Sequence, residues 1–175
     1  YTKSCIITPE VLKEIRDLFE LAPLHVIPNC MGIEGCLKVQ PNIPNIAVFD
    51  TAFHSTIPNY AHLYAIPMKY YRDFKIRRYG FHGTSHKFVG EKLAELIEKP
   101  FNKSKLIVCH LGNGSSISAI KNGKCVDTSM GFTPLEGLIM GTRSGDLDPT
   151  IISFLSKKLN VEVQTVIDTL NKQSG

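Results

Sequence analysis

The chain has 175 residues, 43% of them hydrophobic and 21% charged, with a formal net charge of +4; this suffices for one globular domain with a proper core, or for parts of two. The mild positive balance suits an anionic small molecule at most and does not require nucleic acid, and no apolar run approaches the roughly 20 residues of a membrane helix. Five cysteines without a C-x-x-C pair argue against a disulfide framework or a zinc knuckle and for thiols in a reducing cytoplasm.

No signal peptide is visible. A start at Tyr1 and a loop-like Asn-Lys-Gln-Ser-Gly end read as a piece of something longer. In chain order, residues 8–22 predict a helix: Thr8 can cap it, Pro9 suits its first turn, and Val11, Leu12, Ile15, Leu18 and Phe19 form one stripe. Residues 23–45, rich in Pro, Gly and Asn, show no clear period and read as an irregular segment. Asn-Ile-Ala-Val-Phe-Asp, 45–50, looks like a buried strand that presents the Asp50 carboxylate at its end, where open α/β sheets place ligands.

Residues 69–80 mix basic and aromatic side chains and read as a solvated amphipathic stretch rather than a nucleic-acid interface. Residues 85–99 predict a helix capped by Ser85, with Phe88, Val89, Leu93, Leu96 and Ile97 on one side. A buried strand, Leu106 to His110, then runs into Gly-Asn-Gly-Ser-Ser. A second strand, Ser116 to Ile120, leads to Asn122-Gly123, a type I′ hairpin signal, and a third strand follows. Two more helices cover 148–160 and 161–171, the first opened by Asp148 and Pro149, the second capped by Asn160. Strands and helices mix along the chain, so the class is α/β.

Three loops and one carboxylate can carry chemistry. In His-Leu-Gly-Asn-Gly-Ser-Ser, Gly112 and Gly114 allow close backbone approach, and consecutive N–H groups in such a turn form an anion nest suited to phosphate. Arg143, in a Gly/Ser loop before a helix, can clamp phosphate or carboxylate; an ordinary surface arginine would look the same. Asp50 can hold Mg²⁺ through water or serve only as a cap. His82 and His86 have the H-x-x-x-H spacing of a zinc helix, but Gly-Thr-Ser lies between them and no glutamate follows His82. A loop His82 able to donate to a transferring phosphoryl group, and a structural His86 at the helix start, fit better.

Taken together, Asn-Ile-Ala-Val-Phe-Asp-Thr-Ala-Phe-His, Tyr-Gly-Phe-His-Gly-Thr-Ser-His, His-Leu-Gly-Asn-Gly-Ser-Ser-Ile-Ser-Ala-Ile and Gly-Thr-Arg-Ser-Gly-Asp-Leu-Asp-Pro resemble, in order and wording, the acetate kinases and the related propionate kinases. The resemblance implies the acetate and sugar kinase, chaperone and actin-like (ribonuclease H-like) fold, present here in part. Residues 1–50 would end the N-terminal domain and 51–175 would begin the C-terminal one. It implies reversible transfer of the ATP γ-phosphoryl group to acetate, with Mg²⁺ or Mn²⁺, in a cytoplasmic enzyme that is a homodimer at full length.

The same resemblance assigns catalytic roles to Asp50, His82 and Arg143. It assigns nucleotide-phosphate binding to His110, Leu111, Gly112, Asn113 and Gly114, and a substrate pocket to Leu24, His25, Phe81 and Pro134. No side chain here is implied as a direct metal ligand, Asp50 acting through water. A carboxylic acid substrate is already ionised at pH 7, so Asp50 is expected to orient the metal rather than act as a base. The family's N-terminal phosphate loop, a second substrate arginine, its adenosine segment and a metal-associated glutamate fall outside the sequence, so the chain alone is expected to be inactive. A propionate or butyrate kinase, or a non-catalytic module on the same fold, are the alternatives.

Overall fold

The computed structural model describes residues 1–19 and 23–175, with the side chains of Pro23, Leu24 and His25 outside the described set. The chain forms two compact units, Tyr1–Phe49 and Asp50–Gly175.

In the first unit, β1 (Cys5–Ile6) pairs antiparallel with β2 (Ile46–Ala47). Helix α1 (Pro9–Asp17) starts as the sequence suggests: the Thr8 hydroxyl accepts a hydrogen bond from the Val11 N–H at 3.3 Å and Pro9 occupies the first turn. Helix α2 (Pro23–Val39) replaces the expected irregular segment. Val26 and Cys30 pack on Leu12 and Ile15, with Ile33 and Leu37 continuing the same side. This 4-3-4 spacing is a helical stripe, and its burial outweighs the missing N–H of Pro28 and the flexibility of Gly32 and Gly35. The expected buried strand at 45–50 is also corrected: β2 is two residues long, and Ile46 and Val48 are each 63% exposed.

The second unit holds a three-stranded antiparallel sheet, β3 (Lys105–Leu111), β4 (Ser115–Lys121) and β5 (Lys124–Thr128), in that order. Asn122 and Gly123 both adopt positive φ, giving the type I′ turn that matches strand twist. β3 is not a buried strand; only Val108 is fully inside and Ile107 is exposed. The central β4 instead turns Ser116, Ser118 and Ile120 inward, period two.

Short helices α3 (Asn59–His62) and α4 (Met68–Phe74) precede α5 (Gly83–Leu96), which packs on β3. The expected apolar stripe of α5 is wrong in face. Phe88, Val89, Leu96 and Ile97 are exposed, whereas Gly83, His86, Gly90 and Ala94 point inward. A Cβ at Gly90 would lie 2.9 Å from Ile120 Cδ1, so the helix meets β4 through small residues. Ser85 sits inside the first turn rather than capping it.

Helices α6 (Thr150–Leu159) and α7 (Val163–Lys172) pack on one another. The Asp148 carboxylate accepts from the Thr150 N–H at 2.9 Å, as a helix opening requires. Asn160, however, closes α6 in the left-handed conformation, φ 53°, and Glu162 precedes α7. Arg78, from the stretch read as solvated, is only 20% exposed. It donates to the carbonyls of Thr128 (2.8 Å) and Ser129 (3.0 Å) and to Glu136 (2.7 Å), while Tyr64 donates to the same Glu136. This staple fixes the loop that leads to Arg143.

Candidate active site

The site is built in the second unit where α5 begins. His82 stands immediately before Gly83 with φ 59°, a left-handed conformation that non-glycine residues seldom adopt. Asp50 holds it there. Its carboxylate Oδ2 accepts from the His82 backbone N–H at 2.5 Å, and its carbonyl accepts from the Gly83 N–H at 2.8 Å. A Cβ on Gly83 would lie 2.2 Å from the Asp50 carbonyl oxygen, so this close approach requires glycine. Asp50 thus does serve as a cap, yet its Oδ1 carries no hydrogen bond among the described residues.

The β3–β4 turn reaches the same place. Leu111 pairs with Ser115, leaving Gly112, Asn113 and Gly114 as the loop. The Gly112 N–H turns inward to the Gly114 carbonyl at 3.1 Å, and neither glycine has positive φ. The glycines serve close approach instead. A Cβ on Gly114 would lie 3.2 Å from Arg143 Nη1 and 3.4 Å from His82 Nε2. The guanidinium and the imidazole therefore converge on one point at the loop. Arg143 is half-buried and anchored by bonds from Nη1 to the Pro134 carbonyl (3.3 Å) and to Met140 Sδ (3.7 Å). Asn113 is tied to the same loop, its carbonyl accepting from the Gly141 N–H at 3.1 Å.

Four histidines cluster under this surface. The His82 ring stacks on His110 with centroids 3.9 Å apart. His86 lies 6.4 Å from His82, and His54 lies 5.7 Å from His86. His86 and His54 are fully buried. Burial, reinforced by the other imidazoles, pushes His86 down to about 4. Burial lowers His54 as well, and it lowers His82 together with the repulsion of His110 while the Asp50 carboxylate opposes the shift. All three are neutral at pH 7. His54 Nε2 faces the Phe81 carbonyl at 2.7 Å and so carries its proton; Nδ1 then accepts from the Cys125 thiol at 3.1 Å. Burial holds that thiol at about 12, so it is inert as a nucleophile.

Of the residues singled out by sequence, Asp50, His82, His110, Leu111, Gly112, Asn113, Gly114 and Arg143 come together. Phe81 and Pro134 join through the backbone, Phe81 preceding His82 and Pro134 accepting from Arg143. Leu24 and His25 belong to α2, and their side chains lie outside the described residues. Sequence reasoning read Ser85 only as a helix cap and Ser116 only as a hydroxyl donor beside the glycine loop; the Ser85 hydroxyl instead bonds His110 Nδ1 at 2.9 Å, and Ser116 lies between His82 and His86. The signal for Ser116 was its inward position on β4, because a buried hydroxyl requires partners.

A guanidinium and a neutral imidazole at a glycine loop, with a carboxylate alongside, suit an oxyanion that develops charge during a reaction. The Acetokinase family model matches residues 1–175, and the chain belongs to that family. It is 59% identical, over its whole length, to an acetate kinase of Thermoanaerobacterium thermosaccharolyticum and covers 44% of that protein. Among solved structures it superimposes on a propionate kinase from Francisella tularensis with a TM-score of 0.95 at 48% identity, covering all of this chain and 45% of that one. The acetate kinase of Porphyromonas gingivalis gives 0.94 at 43% identity, covering 100% and 44%. The chain spans less than half the length of these relatives, and its fold is that portion of theirs.

Proposed function

We propose that the chain is the central part of an acetate kinase, and that its second unit supplies the transition-state side of the phosphoryl-transfer site. The reading is carried by the convergence of His82 Nε2 and Arg143 Nη1 on Gly114. Phosphoryl transfer needs little covalent help; it needs alignment and donors for the equatorial oxygens. Arg143 offers a permanent charge held by Pro134 and Met140, and neutral His82 offers an N–H without the penalty of a buried cation. The loop from His110 to Gly114 approaches the nucleotide phosphates. Acetate attacks as the carboxylate it already is at pH 7, so Asp50 abstracts no proton.

Asp50 Oδ1 carries no hydrogen bond among the described residues, Oδ2 being taken by the His82 N–H. That oxygen suits a Mg²⁺ that keeps its waters and is held largely by nucleotide phosphates. When bound, such an ion neutralises charge on the phosphates, and Asp50 would orient its water shell. No helix among the described residues is long and apolar enough to cross a membrane. Under this reading the intact protein is a cytoplasmic homodimer.

The test is a chimaera in which this chain replaces the matching 44% of the Thermoanaerobacterium enzyme. Acetate-dependent acetyl phosphate formation from ATP is expected. Arg143→Ala and His82→Ala should each lower kcat by roughly 10²–10³-fold with smaller change in KM for acetate. Retained turnover in both variants would sink the reading. The similarity to a propionate kinase favours a second reading, in which propionate is the better substrate. One methylene is worth only about 1–3 kcal/mol, so the ratio of kcat/KM for the two acids in the same chimaera decides it.

A further inference from the structure

Between His82 and His86 lies one hydroxyl with no other hydrogen-bond partner among the described residues. Ser116 Oγ is 2.9 Å from His82 Nδ1 and 2.7 Å from His86 Nε2, and Ser116 and His86 are both wholly buried. A hydroxyl has one proton, so this three-group chain runs in one of two directions. In the first, His86 Nε2–H donates to Ser116, and Ser116 donates to His82 Nδ1. In the second, His82 Nδ1–H donates to Ser116, and Ser116 donates to His86 Nε2. Because both rings are neutral, the direction fixes both tautomers.

We propose that Ser116 and His86 are positioning residues that set the first direction, so that His82 presents Nε2–H, a donor, at the Gly114 loop. This rests on the reading of His82 as the group that faces an anion. Two observations choose the direction. His82 Nε2 is the atom near Gly114 and Arg143, and a lone pair there would repel an incoming oxyanion. His86 Nδ1 is buried without any hydrogen-bond partner. In the first direction that atom is a bare acceptor; in the second it is a buried N–H with nothing to receive it, the rarer kind of orphan. Fixing a catalytic imidazole through its far nitrogen is the arrangement expected of a group whose orientation and tautomer both matter.

The experiment is long-range ¹⁵N–¹H correlation NMR of the ¹⁵N-histidine-labelled chain at pH 7.5, without substrate. Two other histidines calibrate it. His54 Nε2 faces a carbonyl and is an Nε2–H tautomer, whereas His62 Nδ1 donates to the Ile57 carbonyl at 2.9 Å and is an Nδ1–H tautomer. His82 and His86 should both match His54. In Ser116→Ala, loss of one hydrogen bond should raise the Nδ1–H to Nε2–H ratio of His82 by about fivefold. Both rings matching His62 would mean that a lone pair faces Arg143, and would overturn the proposal. A mixed pair in the parent chain, or an unchanged His82 ratio in Ser116→Ala, overturns it too. If Ser116→Ala does not fold, the parent spectrum alone decides. Because no substrate is used, this can fail while the kinase reading stands, and the chimaera assay can fail while the tautomers hold.

Discussion

Asp50 holds its neighbours with one carboxylate oxygen and leaves the other without a hydrogen bond among the described residues. Oδ2 and the backbone carbonyl hold His82 and Gly83 in place, and under the proposed function the second oxygen serves a hydrated cation. The two duties separate by substitution. Asn keeps an acceptor for the His82 N–H but removes the charge. Asp50→Asn should therefore leave the thermal midpoint of the chain nearly unchanged while raising the Mg²⁺ concentration needed for half-maximal rate in the chimaera. Asp50→Ala should in addition destabilise the chain by about 0.5–2 kcal/mol, as the loss of a cap does. Lost turnover with unchanged metal dependence in Asp50→Asn would mean that Asp50 does not act through the ion. The residue types at this site were legible early: an aspartate, a loop histidine, a glycine loop and an arginine each suggested phosphate chemistry. Their meeting was not legible residue by residue, because each had a bland reading alone; only the resemblance of the ordered motifs to the acetate kinases implied it.

At the level of elements, amphipathic pattern was a good guide to where helices lie and a poor one to which face is buried. Helix α5 carries four large apolar residues of the predicted stripe, Phe88, Val89, Leu93 and Leu96, yet turns His86, Gly90 and Ala94 inward and meets β4 through His86 and Gly90. The reason is distance: a Cβ at Gly90 already reaches Ile120, so only small or planar side chains fit. Helix α2 was missed because Pro28, Gly32 and Gly35 read as punctuation, while the packing of Val26 and Cys30 on Leu12 and Ile15 requires knowledge of α1. Turn chemistry transferred well at Asn122-Gly123 and misled at Asn160, which ends α6 rather than starting α7. That assignment is testable by stability. Asn160→Ala, with φ 53° to maintain, should cost about 1 kcal/mol, and Asn160→Gly should be neutral or slightly stabilising. Equal loss in both variants would point to the Asn side chain instead of its backbone.

For the molecule as a whole, the buried neutral histidines tie stability to pH. His86 is held at about 4 against an ordinary 6.5, and His54 is lowered in the same direction. Between those limits the unfolded chain binds protons that the folded chain does not, so stability falls as pH drops from about 6.5 towards 4 and is level above that window. His86 alone contributes roughly 3 kcal/mol to this loss. Urea unfolding at pH 7.5 and 4.5 should show it as a lower midpoint at acid pH; equal midpoints would mean that the imidazoles accept protons in place. From the order of residues alone came the α/β class, most helix positions, the β3–β4–β5 hairpins and the phosphate-type motifs, because these depend on neighbours within a few positions. Chain folding across stretches of about 30 residues was needed to bring Asp50 to His82 and Arg143 to Gly114, and to place Ser116 between two imidazoles. Hydrogen-bond direction and burial are properties of the assembled site, and no local pattern encodes them.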